Sequence, residues 1–235
     1  MSQSAVIQNE YLEIQRHLSD QPSMWDGYKF GNYGLYAEYC NDFFSFLVGE
    51  YVQTLTNSSS PTIADAPCGQ LAMINTAGAS DAINLQLGTL NGTTGLGFNT
   101  AVGKKLWFEC RAKVSDATLT TFVLGLVNAD TTPDANTAGI HFIKPTAGTA
   151  INFLSTLSSV STTVSALATC DTNFHTYGFV CNGRDSIDYW FDGIKMGSVT
   201  SNIATAALKL TMFIKNGEAA AKTLTIDYVR VVQER

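Results

Sequence analysis

The stretch FHTYGFVCNGRDSIDYWFDGIKMGSV, which spans residues 174 to 199, predicts three consecutive β-strands. The short apolar runs TYGFVC, SIDYWF and IKMGSV are separated by the dipeptides Asn182-Gly183 and Asp192-Gly193. Both dipeptides favour the positive φ angles of tight hairpin turns. The stretch therefore predicts a three-stranded antiparallel meander.

Side chains alternate between the two faces of the middle strand of this meander. Ile187, Tyr189 and Phe191 point to one face. Asp188 and Trp190 point to the other, polar face. If the chain is a carbohydrate-binding module, in which exposed aromatic rings stack on sugar faces, Trp190 is the best single candidate for glycan binding.

The chain from residue 46 onward repeats this pattern of apolar runs and turn clusters. The clusters include TNSSSP, NTAGASD, NGTTGLG, NADTTPDANTAG and KPTAGTA. Their spacing is typical of a many-stranded antiparallel sandwich. The composition, with 14% charged and 45% hydrophobic residues, agrees with a strand-and-turn protein. We therefore predict one main β-sandwich domain over residues 46–235.

Residues 4–20 carry one apolar stripe at helical spacing. Its members are Ile7, Tyr11, Ile14 and Leu18, with polar residues between them. This spacing predicts a short amphipathic helix at the N-terminus.

Residues 25–46 form an aromatic-rich arm that fits neither the helical nor the strand period as a whole. The arm holds nine aromatic residues interleaved with glycines. Either its rings pack on the protein's own sheet, or it docks on a neighbouring subunit, because aromatic side chains are enriched at interface cores. Under the second interpretation the partner-binding residues are the helical stripe together with Trp25, Tyr28, Phe30 and Tyr33. The helix and the arm make up the predicted N-terminal region, residues 1–45.

The charge of the chain argues against nucleic acid as a partner. The formal net charge is -6, the pI is near 4.9, and the only adjacent basic pair is Lys104-Lys105. No stretch approaches the roughly 18–20 apolar residues that cross a bilayer, and the N-terminus lacks the basic and apolar regions of a signal peptide. We expect no membrane partner and synthesis in a cytoplasm without export.

Recognised catalytic and metal-binding patterns are missing from the sequence. A glycoside hydrolase needs two carboxylates beside the scissile bond, and no two glutamates of the sandwich region lie within one strand of each other. The three histidines lack zinc spacing, the five cysteines form no C-x-x-C pair, and no G-x-S-x-G occurs. Two of the three residues Asp185, Asp188 and Asp192 lie beside predicted hairpin turns, where aspartate is common, so we interpret them as turn and surface residues and not as a calcium site. We predict no metal and no cofactor.

Three segments of the sandwich region carry a family resemblance. They are LWFECRAKVSD (Leu106–Asp116), FHTYGFVCNGRDSIDYWFDGIKM (Phe174–Met196) and LTIDYVRVVQ (Leu224–Gln233). In this order they resemble the concanavalin A-like jelly roll of laminarinase-type glycosidases and laminin-G-like lectin domains. The resemblance implies an all-β antiparallel sandwich of the jelly-roll type.

The same resemblance bears on catalysis. Glycosidases of this family carry Glu-x-Asp-x-Glu or Glu-x-Asp-x-x-Glu on one strand after the F-E-x-R-x-K strand. The region TTFVLGLVNADTTPDA, which follows that strand here, contains no glutamate. The resemblance therefore implies that the chain is not an enzyme and leaves a glycoside hydrolase as a distant third possibility.

The C-terminal segment AAAKTLTIDYVRVVQER (Ala219–Arg235) resembles the ending of a group of phage-encoded virion proteins. This likeness implies a virion structural protein that assembles in the host cytoplasm. It implies a capsid decoration or cement protein whose N-terminal arm binds the major capsid protein or other virion subunits, with a homo-oligomer on the particle. The alternative is a lectin-like module on the head or tail that binds a host glycan.

Overall fold

The computed structural model describes residues 23–29, 33–58, 60–64, 66, 69–88 and 97–235, which form an antiparallel β-sandwich. Two sheets, sheet A and sheet B, pack face to face around one large core, as predicted from the sequence. The described strands in chain order are β1 (Tyr36–Asn41), β2 (Tyr51–Thr56), β3 (Thr62–Ala64), β4 (Gln70–Ile74), β5 (Ala82–Leu87), β6 (Lys105–Val114), β7 (Thr120–Val127), β8 (Gly139–Lys144), β9 (Ala150–Leu157), β10 (Val160–Thr169), β11 (His175–Asn182), β12 (Ser186–Phe191), β13 (Ile194–Val199), β14 (Lys209–Asn216) and β15 (Thr223–Glu234).

Neighbouring strands in each sheet are often far apart in the chain. Sheet A has the order β13-β12-β11-β6-β15-β4-β3, and β1 also pairs with β15. Sheet B has the order β10-β9-β8-β7-β14-β5-β2. The described N-terminal strand β1 therefore lies beside the C-terminal strand β15, which brings the aromatic arm onto sheet A.

The predicted meander is confirmed as β11, β12 and β13 at one edge of sheet A. Its second turn is a tight one, because Asp192 and Gly193 both have positive φ, at 49° and 76°. The first connection is longer than the predicted two-residue turn, since β11 ends at Asn182 and β12 begins at Ser186.

Alternation of side chains along the strands fills the core between the sheets. The ring of Phe108 stacks on that of Phe179 at 4.9 Å, and the ring of Phe153 stacks on that of Tyr189 at 4.7 Å. All four residues are buried. Aromatic pairs of this kind stabilise a fold by about 0.5–1.5 kcal/mol beyond the area that they bury.

A β-bulge in β15 changes which of its side chains face outward. The register with β6 shifts between Ile226 and Tyr228, with Asp227 as the extra residue. Ile226 and Val229 both lie in the core, so Asp227 and Tyr228 stand on the outer side between them. Asp227 forms an ion pair with Arg111 there, at 2.5 Å.

The predicted boundary at residue 45 is wrong for the end of the arm. Residues 36–41 form β1 of sheet A, and the ring of Phe43 is fully buried in the main core. The sandwich therefore begins before residue 46. The predicted helix, with Ile7, Tyr11, Ile14 and Leu18, lies outside the described residues, as does Phe30.

The loop after β1 is held in an uncommon backbone conformation. Phe43 has a φ of 52°, which is rare for a bulky residue. Its backbone N–H donates to Oδ1 of Asn41 at 2.8 Å. The loop passes so close to Gly69 that a Cβ there would lie 2.2 Å from the carbonyl oxygen of Phe43. Gly69 itself has a φ of 72°, so only glycine meets both constraints.

We expect Gly69→Ala to destabilise the sandwich by about 3 kcal/mol or more, because it adds a backbone clash to the roughly 1–2 kcal/mol cost of a left-handed alanine. Gly103→Ala is the matched control, since Gly103 has a φ of 69° with nothing within 4 Å of the added Cβ. Urea unfolding of both variants measures the difference. Equal losses in the two variants would contradict the close approach of Gly69 to Phe43.

Candidate functional site

Each sheet of the sandwich is partly covered on its outer face by another segment of the same chain. On sheet A the covering segment is residues 23–29, which we name the strap. On sheet B it is residues 128–138, which we name the sheet B loop. These two covered faces and a charged cluster at the end of sheet A are the places where polar and aromatic side chains converge.

The strap seats an apolar side chain on sheet A. Met24 is buried against Trp107 and Trp190, and the indole N–H of Trp107 donates to the carbonyl oxygen of Met24 at 3.1 Å. Gly178 of β11 leaves room for this contact, since a Cβ there would lie 2.4 Å from the Met24 sulfur. The glycine makes the depression into which Met24 fits.

Two aromatic side chains of the strap bind charged groups of the sheet. The indole N–H of Trp25 donates to Oε2 of Glu109 at 3.0 Å, and the hydroxyl of Tyr28 donates to Oε2 of Glu38 at 2.9 Å. The guanidinium of Arg230 lies 4.4 Å from the ring of Trp25 and 4.8 Å from that of Tyr28, and it pairs with Glu38 at 2.6 Å. Such hydrogen bonds and cation–π contacts hold the strap by specific interactions as well as by burial.

The pKa values of two tyrosines follow from this arrangement. Burial, with the hydrogen bond to Glu38, raises the pKa of Tyr28. Burial and the nearby carboxylate of Glu109, to which its hydroxyl donates at 2.8 Å, raise the pKa of Tyr228. Both phenols are therefore neutral hydrogen-bond donors at physiological pH.

The aromatic residues predicted to contact partners divide between two environments. Trp25 and Tyr28 pack on the protein's own sheet A, so for these two the self-packing interpretation is the one that the structure supports. Tyr33 is 70% exposed. Trp190 does face the outer side of sheet A, but it is only 5% exposed. The exposure expected of a sugar-stacking ring is therefore wrong for Trp190, because Met24 packs on it and the Lys195 ammonium lies 5.6 Å from its ring.

The sheet B loop crosses the outer face of sheet B and is held there by hydrogen bonds between its backbone and side-chain amides of β5. The amide of Asn84 donates to the carbonyl oxygen of Asp130 at 2.8 Å. The amide of Gln86 donates to Asn128 O at 3.0 Å and accepts from the N–H of Asp130 at 3.0 Å. Lys215 forms an ion pair with Asp134. These bonds join β5 and β14 to a loop that starts at the end of β7.

A fully buried histidine lies on the same face, close to where the loop returns. His141 of β8 has its Nε2 3.4 Å from the amide nitrogen of Asn136, and among the described residues its Nδ1 has no hydrogen-bond partner. Burial lowers the pKa of His141 to about 4, so the imidazole is neutral at physiological pH. The outward positions of β7 and β8 carry no carboxylate: they hold Thr121, Val123, Gly125, Val127, Gly139, His141 and Ile143.

A second histidine is fixed by two carboxylates at the end of sheet A. Nδ1 of His175 lies 2.7 Å from Asp192 and Nε2 lies 3.0 Å from Asp171. Burial alone lowers the pKa of His175, but the hydrogen bonds to the two aspartates outweigh it and raise the pKa above its usual value. The ring also stacks on Phe191 at 4.9 Å. The imidazole ring of His175 thus ties the β12–β13 turn to the start of β11.

Neither a metal cluster nor a membrane span is found in the part of the chain that the structure describes. There, no group of three or more histidine, cysteine, aspartate or glutamate side chains is arranged to hold an ion. The helices of that part are also too short to cross a bilayer as an apolar span.

Sequence reasoning missed the polar residues that hold the strap. Glu109 and Arg230 occupy outward positions opposite each other on β6 and β15. The alternation in FECRAK gives Glu109 and Arg111 the same face, and that signal was available. No such signal shows that Arg230 and Asp227 share a face, because this depends on the bulge in β15.

Comparison with known proteins gives a likeness in structure only. No family model matches the chain, and no curated protein matches it in sequence. A laminarinase catalytic domain from Thermotoga petrophila has a TM-score of 0.59 at 12% identity, over 84% of this chain and 97% of that one. A β-glucanase from Bacillus licheniformis has a TM-score of 0.55 at 13% identity, over 83% and 97%.

A third similar structure is the CBM2 module of the evolved Dit protein of Lactobacillus casei BL23 phage J-1. Its TM-score is 0.56 at 12% identity, over 85% of this chain and 96% of that one. The chain has the concanavalin A-like jelly-roll fold. This confirms the resemblance in the sequence, and at these identities the likeness establishes the fold alone.

The prediction that the chain is not an enzyme is corrected by this comparison. It depended on the missing Glu-x-Asp-x-Glu strand, yet the similar structures include a glycosidic hydrolase, the two β-glucanases and a glucuronan lyase. In those proteins a sandwich of the same fold carries carbohydrate-cleaving chemistry, so the absence of one motif from this chain does not exclude activity.

We expect Trp25→Ala to release the strap, because it removes both the hydrogen bond to Glu109 and the ring beside Arg230. A loss of about 1.5 kcal/mol corresponds to amide exchange that is about tenfold faster in the strap. Hydrogen exchange at Asp26 and Tyr28 measures it. Tyr33→Ala, at an exposed aromatic of the same arm, is the matched control; unchanged exchange in the Trp25 variant would show that these contacts do not hold the strap.

Proposed function

We propose that this chain is a structural protein of a phage particle, in which the sandwich decorates the capsid by docking through one edge. The observation that carries the proposal is where the large apolar side chains are exposed. Both sheet faces are partly covered by the chain itself, whereas one edge of the sandwich presents many uncovered apolar groups.

That edge is formed by β1, β2 and β3. The hydroxyls of Tyr39 and Tyr51 lie 2.5 Å apart and join β1 to β2, and Ser60, just before β3, donates to Gln53 of β2 at 2.8 Å. Exposed large apolar residues concentrate between residues 33 and 74: Tyr33, Leu35, Phe44, Leu47, Val48, Val52, Leu55, Ile63 and Ile74. We name this the apolar edge. Over the rest of the described chain only four more are exposed: Val102, Val160, Ile194 and Met196.

An uncovered apolar edge of this kind is typical of a protein that binds another protein. Exposed large apolar side chains that concentrate along one edge are typical of protein contact surfaces, and edge strands also offer unpaired backbone groups to a partner. The acidic charge of the chain disfavours nucleic acid as that partner.

A phage context is supported by two independent likenesses. The C-terminal segment 219–235 resembles the ending of phage virion proteins, and one of the similar structures is a module of a phage protein. Several of the similar structures bind or cleave carbohydrate by their names, so a carbohydrate-binding role on the same particle is compatible with the proposal.

The N-terminal region extends the proposed contact. Ile7, Tyr11, Ile14, Leu18 and Phe30 stay predicted partner-binding residues, and they precede the apolar edge in the chain. With many copies on one lattice, weak contacts per copy add up through high effective concentration.

The test is the composition of particles purified from the organism whose genome encodes the chain. Mass spectrometry of the particle fraction should find the chain in fixed proportion to the major capsid protein. If the chain remains in the soluble fraction while intact particles lack it, the proposed function is wrong.

A further inference from the structure

We propose that residues 42–50, the docking loop between β1 and β2, insert Phe44, Leu47 and Val48 into an apolar pocket on another protein of the particle, and that Lys and Arg side chains surround this pocket. The inference deepens the proposed function and rests on it. It names the anchor residues within the apolar edge and the chemistry of the surface that receives them.

The docking loop separates its apolar side chains into an inner and an outer set. Phe43 is fully buried, and the ring of Phe46 packs 5.5 Å from that of Tyr51. These two residues fix the loop to the sandwich. Phe44, Leu47 and Val48 point outward, and their exposed fractions are 74%, 62% and 47%. A phenylalanine so exposed on a fixed loop gains nothing from its own fold.

The loop keeps its shape without a partner. Phe43 holds a positive φ of 52°, which persists because its ring is buried and Asn41 accepts its N–H. A non-glycine residue with a positive φ persists only where the surrounding structure holds it in place. Such residues are often found at functional sites. A loop that is already ordered loses little conformational entropy on binding, so its exposed apolar groups serve as anchors.

The charge around the loop decides which partner fits. Residues 30–103 contain no lysine or arginine. Asp42 is exposed and Glu50 half-buried, one at each end of the loop. Bases from elsewhere in the fold are engaged: Arg230 pairs with Glu38, and Arg235 donates to the carbonyl oxygen of Tyr36 at 3.1 Å. Lys209 lies beside Gly88, whose N–H donates to the carbonyl oxygen of Glu50 at 2.9 Å, so one lysine stands near the Glu50 end of the loop against the two acids.

An apolar anchor with acidic ends is complementary to a pocket with a basic rim. A second copy of the loop would place Asp42 and Glu50 against the same acids, so symmetric self-pairing is disfavoured. Residues 4–20 carry Glu10, Glu13 and Asp20 against Arg16, so the chain's own N-terminal segment is a poor match as well. The geometry and the charge together favour a basic surface of a different protein.

The probe is the phage particle assembled without this chain, to which the purified full-length chain is added. The double variant Phe44→Ser/Leu47→Ser should bind these particles about tenfold or more weakly, because anchor residues carry most of the affinity of an interface. The matched control is Ile194→Ser/Met196→Ser, which removes two exposed apolar groups from β13, at the far edge of sheet A. The control should bind like the wild type. Equal melting temperatures of the three proteins exclude loss of folding.

The charge of the partner is tested separately. Wild-type binding should weaken as salt is raised, and Asp42→Asn should reduce that dependence. If binding strengthens with Asp42→Asn at low salt, the receiving surface is acidic and the inference is wrong.

Each remaining outcome separates the inference from the proposed function. If the wild type binds particles and the loop variant binds equally well, the inference fails and the proposed function stands. If the wild type does not bind, both fail. If the loop variant instead dissociates a dimer of the free chain, or if hydroxyl-radical footprinting finds Phe44 protected in the free monomer, then a second copy or another part of the chain covers the loop, and the inference is contradicted.

Discussion

The pairing of β15 with β6 and β1 is the interaction on which the rest of the structure depends. It brings the last strand of the chain against one of the longest strands of sheet A and against the first strand that the structure describes. The inward residues Val229 and Val231 fill the core. The outward residues Tyr228 and Arg230 bind Glu109 and Glu38, and Arg230 lies beside the rings of Trp25 and Tyr28. One strand thus closes the sandwich and positions the strap.

A consequence of this arrangement is that the two sheet faces offer little free surface at their centres. The strap covers the aromatic platform of sheet A, and the sheet B loop covers Asn84 and Gln86 on sheet B. Each contact is worth about 1 kcal/mol, but several act together on a short segment. Among the described residues, the exposed large apolar side chains concentrate instead at the apolar edge, where Phe44 and Leu47 stand on a loop fixed by Phe43.

Much of the fold could be predicted from local sequence. Alternation in residues 186–191 and the turn dipeptide Asp192-Gly193 predict a hairpin without any distant contact, and the structure confirms it. The faces of Trp190 and Asp188 followed from the same period. Burial of Trp190 could not be predicted, because Met24, which covers it, lies more than 160 residues away in the chain.

The candidate site depends on such distant contacts throughout. The bulge at Asp227 shifts the alternation by one residue, and no local pattern signals it. The aromatic spacing of residues 25–46 does not reveal β1, because the partner of this strand is the distant strand β15, so the predicted end of the arm lies too late in the chain. The prediction that the chain is not an enzyme is wrong for a different reason. The missing Glu-x-Asp-x-Glu strand excludes one known catalytic arrangement, whereas the fold hosts several chemistries.

The central proposal is that the sandwich binds its particle through the apolar edge, while the strap and the sheet B loop stay in place on the outer faces of the two sheets. Cryo-electron microscopy of the particles tests it most directly. The account predicts density for the sandwich on the capsid lattice, with the docking loop inserted into a neighbouring subunit beside lysine or arginine side chains and with the strap still seated on sheet A. A sandwich that contacts the lattice through the outer face of either sheet, with the strap or the sheet B loop displaced, would contradict it.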